Sequence, residues 1–172
     1  MAKINPGLTS EVCAAIRAHF KKTGQVSVLD VLTNWLVPQP VWKKTYDPLR
    51  FSFSKAKAPS WAREFKALLQ SITGKGKMTI ELRKFDKGDY TLLYDDLKDG
   101  KGVFFSLEFT SLKEDWGGFT SFVADGEVAR IVPKANTLFL VQQDGLKSFV
   151  KYVNHHTAHP RIALQGVVYA SK

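Results

Sequence analysis

The sequence predicts a mainly β domain with N-terminal helices, because the hydrophobic period changes along the chain. Up to Ile72 apolar residues recur at the helical spacing of three to four, whereas from Met78 onwards they alternate with polar residues as in half-buried strands. Turn signals such as Asp125-Gly126 and Asp144-Gly145 divide the second part into short segments. Helices followed by many short strands are typical of an α+β domain in which helices cover a β-sandwich or barrel.

Three amphipathic helices are predicted in the first part. The first follows the cap residue Thr9 and ends before Gly24, the second covers residues 27–36, and the third covers residues 61–72 after Pro59-Ser60. A strand is predicted at residues 51–54 between the second and third helices. Further strands are predicted at residues 78–83, 90–94, 103–109, 119–123, 137–141, 148–153 and 162–169.

A length of 172 residues suits one domain, so we expect residues 1–172 to form a single unit. Residues 1–77 are expected to be its helical, basic part, and residues 78–172 to hold most of the strands. No run of about 20 apolar residues and no secretory signal is seen, so we expect no membrane partner. The single cysteine, Cys13, excludes an internal disulfide and favours a cytoplasmic or nuclear protein.

The positive charge is concentrated in the first half. The net charge is +9; residues 1–78 contain 13 Lys and Arg against 4 Asp and Glu, whereas residues 79–172 contain 12 of each. This asymmetry suggests an anionic partner such as RNA, the ribosome or an acidic protein surface, with an ordinary basic surface as the alternative. The candidate partner-binding cations lie among aromatic residues that suit either base stacking or a core, and they are Lys43, Lys44, Arg50, Lys55 and Lys57.

Two short motifs predict no site. Gly74-Lys75-Gly76-Lys77 leads into a strand and lacks the spacing of a phosphate loop, so it is interpreted as a basic connector. His155, His156 and His159 suggest metal ligands, but neighbouring residues of a strand point to opposite faces. A polar turn before Pro160 is therefore predicted there.

Four segments of the second half resemble a known enzyme family. They are Tyr90-Thr91-Leu92-Leu93-Tyr94-Asp95-Asp96, Trp116-Gly117-Gly118-Phe119, Pro133-Lys134-Ala135-Asn136-Thr137-Leu138 and Arg161-Ile162-Ala163-Leu164-Gln165-Gly166. They resemble the prolyl hydroxylase branch of the iron(II)/2-oxoglutarate dioxygenases, which have the double-stranded β-helix (jelly-roll, cupin-like) fold. The resemblance implies that fold, with two histidines and one carboxylate as iron ligands and an arginine that grips 2-oxoglutarate.

The iron ligands of that family are not all kept in this chain. In the resemblance Tyr94 stands at the first histidine, Asp96 keeps the carboxylate, and Val150 stands at the distal histidine. Arg161, 11 residues further on, keeps the anion position. Because valine has no lone pair, the resemblance implies no catalytic residue, no bound metal and no cofactor. Arg161 is expected to be either a buried, paired cation or a vestigial 2-oxoglutarate or anion site.

A closer resemblance is to the second, C-terminal domain of the ribosomal prolyl hydroxylases, a non-catalytic domain called the oxygenase C-terminal degradation domain. It is carried by Gly88-Asp89-Tyr90-Thr91-Leu92, Trp116-Gly117-Gly118-Phe119-Thr120-Ser121 and Phe149-Val150-Lys151-Tyr152-Val153-Asn154-His155. The chain is then expected to be a stand-alone relative or an isolated domain. The resemblance implies an interaction module for a protein or ribonucleoprotein partner, ribosome-associated or linked to translation or regulated degradation. A separate catalytic oxygenase domain is a further expected partner.

Two other functions stay open at this point. The first is a working prolyl hydroxylase-like dioxygenase that uses Fe(II) and 2-oxoglutarate, with Asp96, Tyr94 and one of His155, His156 and His159 as ligands. The second is an RNA-binding domain, whose affinity would fall steeply with salt.

Overall fold

The computed structural model of the chain describes residues 2–74, 76–94 and 102–170. The helices in these ranges are α1 (Ser10–Thr23) and α2 (Ala62–Thr73), with a short 3₁₀ turn at Glu114–Trp116. The strands are β1 (Lys3–Ile4), β2 (Gln25–Leu29), β3 (Leu32–Thr33), β4 (Lys43–Asp47), β5 (Phe51–Ala56), β6 (Gly76–Phe85), β7 (Tyr90–Tyr94), β8 (Val103–Glu108), β9 (Thr120–Val123), β10 (Glu127–Ile131), β11 (Thr137–Gln142), β12 (Lys147–Val150) and β13 (Arg161–Ala170).

One antiparallel sheet contains all of these strands except the small β1–β3 pair. Its order is β10-β9-β12-β7-β5-β6-β13-β8-β11-β2, with β4 added to β5. Strand β5 bonds both β6 and β7, so it joins a larger half (β6, β13, β8, β11, β2) to a smaller half (β7, β12, β9, β10). The two halves pack face to face. Phe122 and Ile131 of the smaller half pack with Phe104 and Val141 of the larger half.

The larger half of the sheet lies between two buried regions, and successive side chains of its strands point alternately to one region and to the other. On β8, Val103, Phe105 and Leu107 belong to the core that is shared with the helices, where α2 contributes Phe65 and Leu69. The intervening Ser106 and Glu108 are also fully buried, on the face turned toward the smaller half. Strand β8 is therefore buried on both faces. Its helix-facing side is apolar, and its barrel-facing side carries the polar pair Ser106 and Glu108.

The first and third predicted helices are confirmed. Thr9 caps α1 by accepting a hydrogen bond from the Val12 N–H at 3.3 Å, and Gly24 ends it in the left-handed region at φ 71°. Helix α2 buries Phe65, Leu69 and Ile72, as its apolar stripe predicts. Gly74 ends α2 and Gly76 begins β6, as expected of a connector, while Lys75 lies outside the described residues.

The second predicted helix is wrong, because residues 25–33 form strands β2 and β3. Strand β2 pairs with β11 from Gln25↔Val141 to Leu29↔Thr137, and Asp30 and Asn34 adopt left-handed φ values of 53° and 50° that no helix tolerates. The apolar spacing at Val28 and Leu32 fits two short strands as well as a helix. Residues 1–77, expected as the helical part, therefore also contain strands β1 to β5.

The predicted strands are confirmed within a few residues, but β1, β4 and β10 were not predicted, in addition to β2 and β3 where a helix was expected. Strand β4 carries mainly charged and polar residues, so it lacks the apolar alternation that marks a half-buried strand. In β10 the buried Ala129 and Ile131 alternate with the exposed Val128 and Arg130. No helix in the described part of the chain is long and apolar enough to cross a membrane.

Candidate functional site

The candidate site is centred on Arg161, the first residue of β13, whose side chain is fully buried. Its Nε donates to Glu108 Oε2 at 3.0 Å and its Nη2 to Glu108 Oε1 at 2.5 Å, which forms a two-pronged ion pair. Its Nη1 donates to the Gly118 carbonyl at 2.7 Å and to Thr120 Oγ1 at 2.8 Å. Four hydrogen bonds occupy most of a guanidinium that has five N–H donors.

Glu108 is equally enclosed, and it connects the arginine to a longer polar row. The Ser106 hydroxyl donates to Glu108 Oε1 at 2.5 Å, and the Gln165 amide donates to Ser106 Oγ at 2.9 Å. Strand register explains the row, because Ser106 lies opposite Gln165 where β8 pairs with β13. The carboxylate thus fills the anion position of Arg161 from within the protein and is itself hydrogen bonded.

Val150, which the resemblance sets at the distal histidine, lies in an apolar environment. Val150 is buried and packs with Phe53, Phe85 and Val153, and its N–H donates to Thr91 Oγ1 at 2.7 Å. The backbone of Tyr94 pairs with Ser148. The predictions for the Tyr94 side chain and for Asp96 lie outside what the structure describes.

The three histidines lie in the exposed turn that links β12 to β13, as the polar-turn interpretation predicts. The rings of His155 and His156 stack on each other at 3.9 Å, and the His159 ring stands edge-on to Trp116 at 6.4 Å. No group of three or more potential metal ligands occurs in residues 2–74, 76–94 and 102–170.

At the positions that the resemblance assigns, the side chains that the structure describes do not fit iron and 2-oxoglutarate. A facial iron site needs three ligands with lone pairs, and Val150 supplies none. The carboxylate of 2-oxoglutarate needs the arginine fork, which Glu108 already occupies at 2.5 Å and 3.0 Å. Within the described residues the donor set therefore matches a structural ion pair better than a cofactor site.

A cavity of about 460 Å³, lined by both polar and apolar residues, contains Gln165 in its wall. Burial opposes the ionisation of Glu81 there, but Arg83 at 2.9 Å and Lys55 at 3.6 Å outweigh it and hold the pKa of Glu81 below its ordinary value of 4.5. Gln143, which also lines the cavity, is buried, and its Oε1 has no hydrogen-bond partner among the described residues. The cavity lining therefore contains a charged pair, Glu81 and Arg83, and the buried amide of Gln143.

The five candidate cations do not form one free basic surface. Lys44 pairs with the buried Asp89, Lys55 lies 3.6 Å from Glu81, and Arg50 lies 4.0 Å from Asp47. Lys43 is the cross-strand neighbour of Lys55, and Lys57 is exposed beyond the end of β5. Three of the five predicted partner-binding cations therefore have acidic neighbours within the chain, which lowers their attraction for phosphate.

Sequence analysis did not identify Glu108 and Asp89 as buried carboxylates that form ion pairs. The sequence does contain a pattern that could have predicted a buried partner for Glu108. Ser106 and Glu108 are two residues apart in a strand whose other residues are apolar, and a charge that points into the protein needs a buried partner. Asp89 accepts from Ser52 Oγ at 2.5 Å and from the Asp86 N–H at 2.9 Å, and so closes the turn before β7.

Comparison with known proteins gives a partial sequence match and a clear fold match. No protein-family model matches the chain. Over 83 residues, 45% of this chain, it is 35% identical to prolyl 3-hydroxylase OGFOD1 of Mus musculus, and the match spans only 15% of that protein's length. The chain is therefore homologous over part of its length to a prolyl hydroxylase.

Three solved structures resemble the fold at low identity. A prolyl-4-hydroxylase from Pseudomonas putida aligns with a TM-score of 0.67 and 14% identity, over 93% of this chain and 100% of that one. A prolyl hydroxylase from Trichoplax adhaerens, solved with a peptide of the hypoxia inducible factor oxygen degradation domain, gives 0.67 and 12% over 93% and 90%. A 2OG-Fe(II) oxygenase family oxidoreductase from Burkholderia pseudomallei gives 0.60 and 10% over 97% and 93%. The predicted double-stranded β-helix fold is confirmed.

Proposed function

We propose that this chain is a non-catalytic interaction module on the scaffold of a 2-oxoglutarate oxygenase, and that it binds a protein or ribonucleoprotein partner. The observation that carries the proposal is the buried Arg161–Glu108 pair, in which both carboxylate oxygens face the guanidinium. Glu108 takes the place that the resemblance assigns to the carboxylate of 2-oxoglutarate. The barrel then serves as a rigid support for its outer surfaces.

Displacement of Glu108 by a free carboxylate is unfavourable. Glu108 and Arg161 are both fully buried, so a competing anion would leave the Glu108 charge without a counter-ion in a dry interior. Glu108 would also have to leave its hydrogen bond from Ser106. An intramolecular partner has in addition no translational entropy to lose.

The resemblance suggests where such a module works. A C-terminal oxygenase-like domain in ribosomal prolyl hydroxylases implies a partner in the translation machinery or in regulated degradation, and a location in the cytoplasm or nucleus. A separate catalytic oxygenase domain is a second partner of the same kind. RNA is less favoured, because three of the five predicted cations lie beside acidic side chains.

The second candidate is an active dioxygenase, which the 35% identity to a prolyl 3-hydroxylase favours. It requires Asp96, Tyr94 and one of His155, His156 and His159 to bind metal. The two candidates differ in one property that is simple to measure, namely the affinity for a divalent metal.

Calorimetric titration of the metal-stripped protein with manganese(II), and then with 2-oxoglutarate, tests the proposal. We expect no metal binding tighter than about 1 mM and no effect of 2-oxoglutarate. Binding near about 1 μM that 2-oxoglutarate strengthens, and that Asp96→Ala abolishes, would establish the dioxygenase instead. Asp125→Ala, which removes an exposed carboxylate from the turn before β10, is the matched control for nonspecific binding.

A further inference from the structure

The outer surface of the smaller sheet half contains an apolar groove that the barrel interior does not use. It has a volume of about 830 Å³ and lies over β7, β12 and the turn between β4 and β5. Its lining residues are mainly aliphatic and aromatic, and they are Leu49, Tyr90, Thr91, Leu92, Phe149, Val150, Lys151 and Tyr152. We call this surface the β7–β12 groove.

The groove exposes large apolar side chains next to one another. Leu49 is 81% exposed, Leu92 50% and Tyr152 55%. Single exposed hydrophobic residues are common on protein surfaces, but a contiguous group around a concave surface marks a binding site. These three side chains are available as anchors for a partner.

The groove is held in shape by hydrogen bonds between its walls. The Leu92 N–H donates to the Arg50 carbonyl at 2.7 Å, and the Tyr90 hydroxyl donates to the Pro48 carbonyl at 3.1 Å. The turn that carries Leu49 is therefore fastened to β7. A surface ordered before binding loses little entropy when a partner arrives.

The described residues around the groove carry an excess of positive charge. Lys151 lines it, Arg50 follows Leu49 with a side chain 62% exposed, and Lys147 lies on the same strand face as Phe149 and Lys151. Asp47 lies 4.0 Å from Arg50 and offsets its charge, so the excess positive charge comes from Lys151 and Lys147. The described lining residues include one cation and no carboxylate, so the groove complements a negatively charged apolar segment.

We propose that the β7–β12 groove binds an acidic segment of a partner protein through apolar anchors; this rests on the proposed function as an interaction module. A second copy of the chain fits less well, because a symmetric contact would bring the same cations face to face. RNA also fits less well, because Lys151 is the one cation among the described lining residues and the most exposed anchor, Leu49, is aliphatic.

The test is selection of a displayed random-peptide library on the full chain, followed by binding measurements with the enriched peptides. We expect enriched sequences that combine Asp or Glu with Leu, Phe or Trp. We expect Leu49→Asp to weaken their binding at least about tenfold. Leu36→Asp, at a side chain 85% exposed outside the groove lining, is the matched control and should change affinity less than about twofold.

Several results would overturn the groove proposal. They are a basic or uncharged consensus, no enriched peptide, or equal losses with Leu49→Asp and Leu36→Asp. Tighter binding of oligouridylate than of the peptides, abolished by Leu49→Asp, would assign the groove to RNA. Self-association in sedimentation that Leu49→Asp removes would assign it to a second copy. The manganese titration of the same preparation reports on the proposed function separately, since tight metal binding overturns that function whatever the peptides do.

Discussion

Replacement of Glu108 by alanine is expected to lower the free energy of unfolding by about 3–5 kcal/mol. The substitution leaves the Arg161 guanidinium fully buried without its counter-ion, and the neutral acceptors that remain, the Gly118 carbonyl and Thr120 Oγ1, supply no negative charge. The Ser106 hydroxyl loses its acceptor, while the Gln165 amide keeps its own acceptor, Ser106 Oγ. Urea denaturation followed by tryptophan fluorescence measures the change.

Two controls separate the buried charge from a general effect of substitution. Glu127→Ala removes a partner of the exposed Arg130 and should change stability little. The double variant Glu108→Leu/Arg161→Met replaces both charges with hydrocarbon and should recover most of the loss, because the costly element is the unpaired charge. A loss below about 1 kcal/mol in Glu108→Ala would show that Arg161 finds water or another anion.

Replacement of Phe105 by alanine is expected to cost about 3–5 kcal/mol. Phe105 is fully buried on the helix-facing side of β8, and its ring stands edge-on to Phe65 of α2 at 5.8 Å between centroids. The truncation opens a cavity between the sheet and the helix that buttresses it. Thermal unfolding monitored by circular dichroism measures the loss as a lower Tm.

Leu36→Ala is the matched control for Phe105→Ala, because Leu36 is 85% exposed and should leave the Tm unchanged within error. If Phe105→Ala also left the Tm unchanged, the helices would not be packed on the sheet as the structure places them. If α2 separated early while the sheet stayed folded, two transitions would replace one.

The fold was predictable where local pattern and tertiary environment agree. Strands β7 and β13 were predicted almost to their ends because their apolar residues fit the alternation of a buried strand. The segment from Val28 to Leu32 failed because a spacing of four suits a helix stripe as well as two strands separated by a left-handed residue at Asp30. Pairing with β11, more than 100 residues away along the chain, decides the outcome there.

The candidate site was predictable only in part. Arg161 was identified as the residue at the position where the resembling family binds the carboxylate of 2-oxoglutarate. One of its two predicted roles was a buried, paired cation. Its partner was not identified, because Glu108 lies 53 residues away and meets Arg161 only through the register of β8 on β13. Ion pairs that depend on strand register cannot be read from spacing along one chain segment.

The proposed function depends most directly on whether the Arg161 guanidinium stays paired with Glu108 in solution. It can be measured by nuclear magnetic resonance as the Nε–H signal of Arg161, assigned by its absence in Arg161→Met. We expect this proton to exchange slowly with water and its chemical shift to stay constant when manganese-free protein is titrated with 2-oxoglutarate, since Glu108 accepts from that Nε at 3.0 Å. A saturable shift on addition of 2-oxoglutarate would show that the arginine still binds the cosubstrate, and would contradict a non-catalytic role.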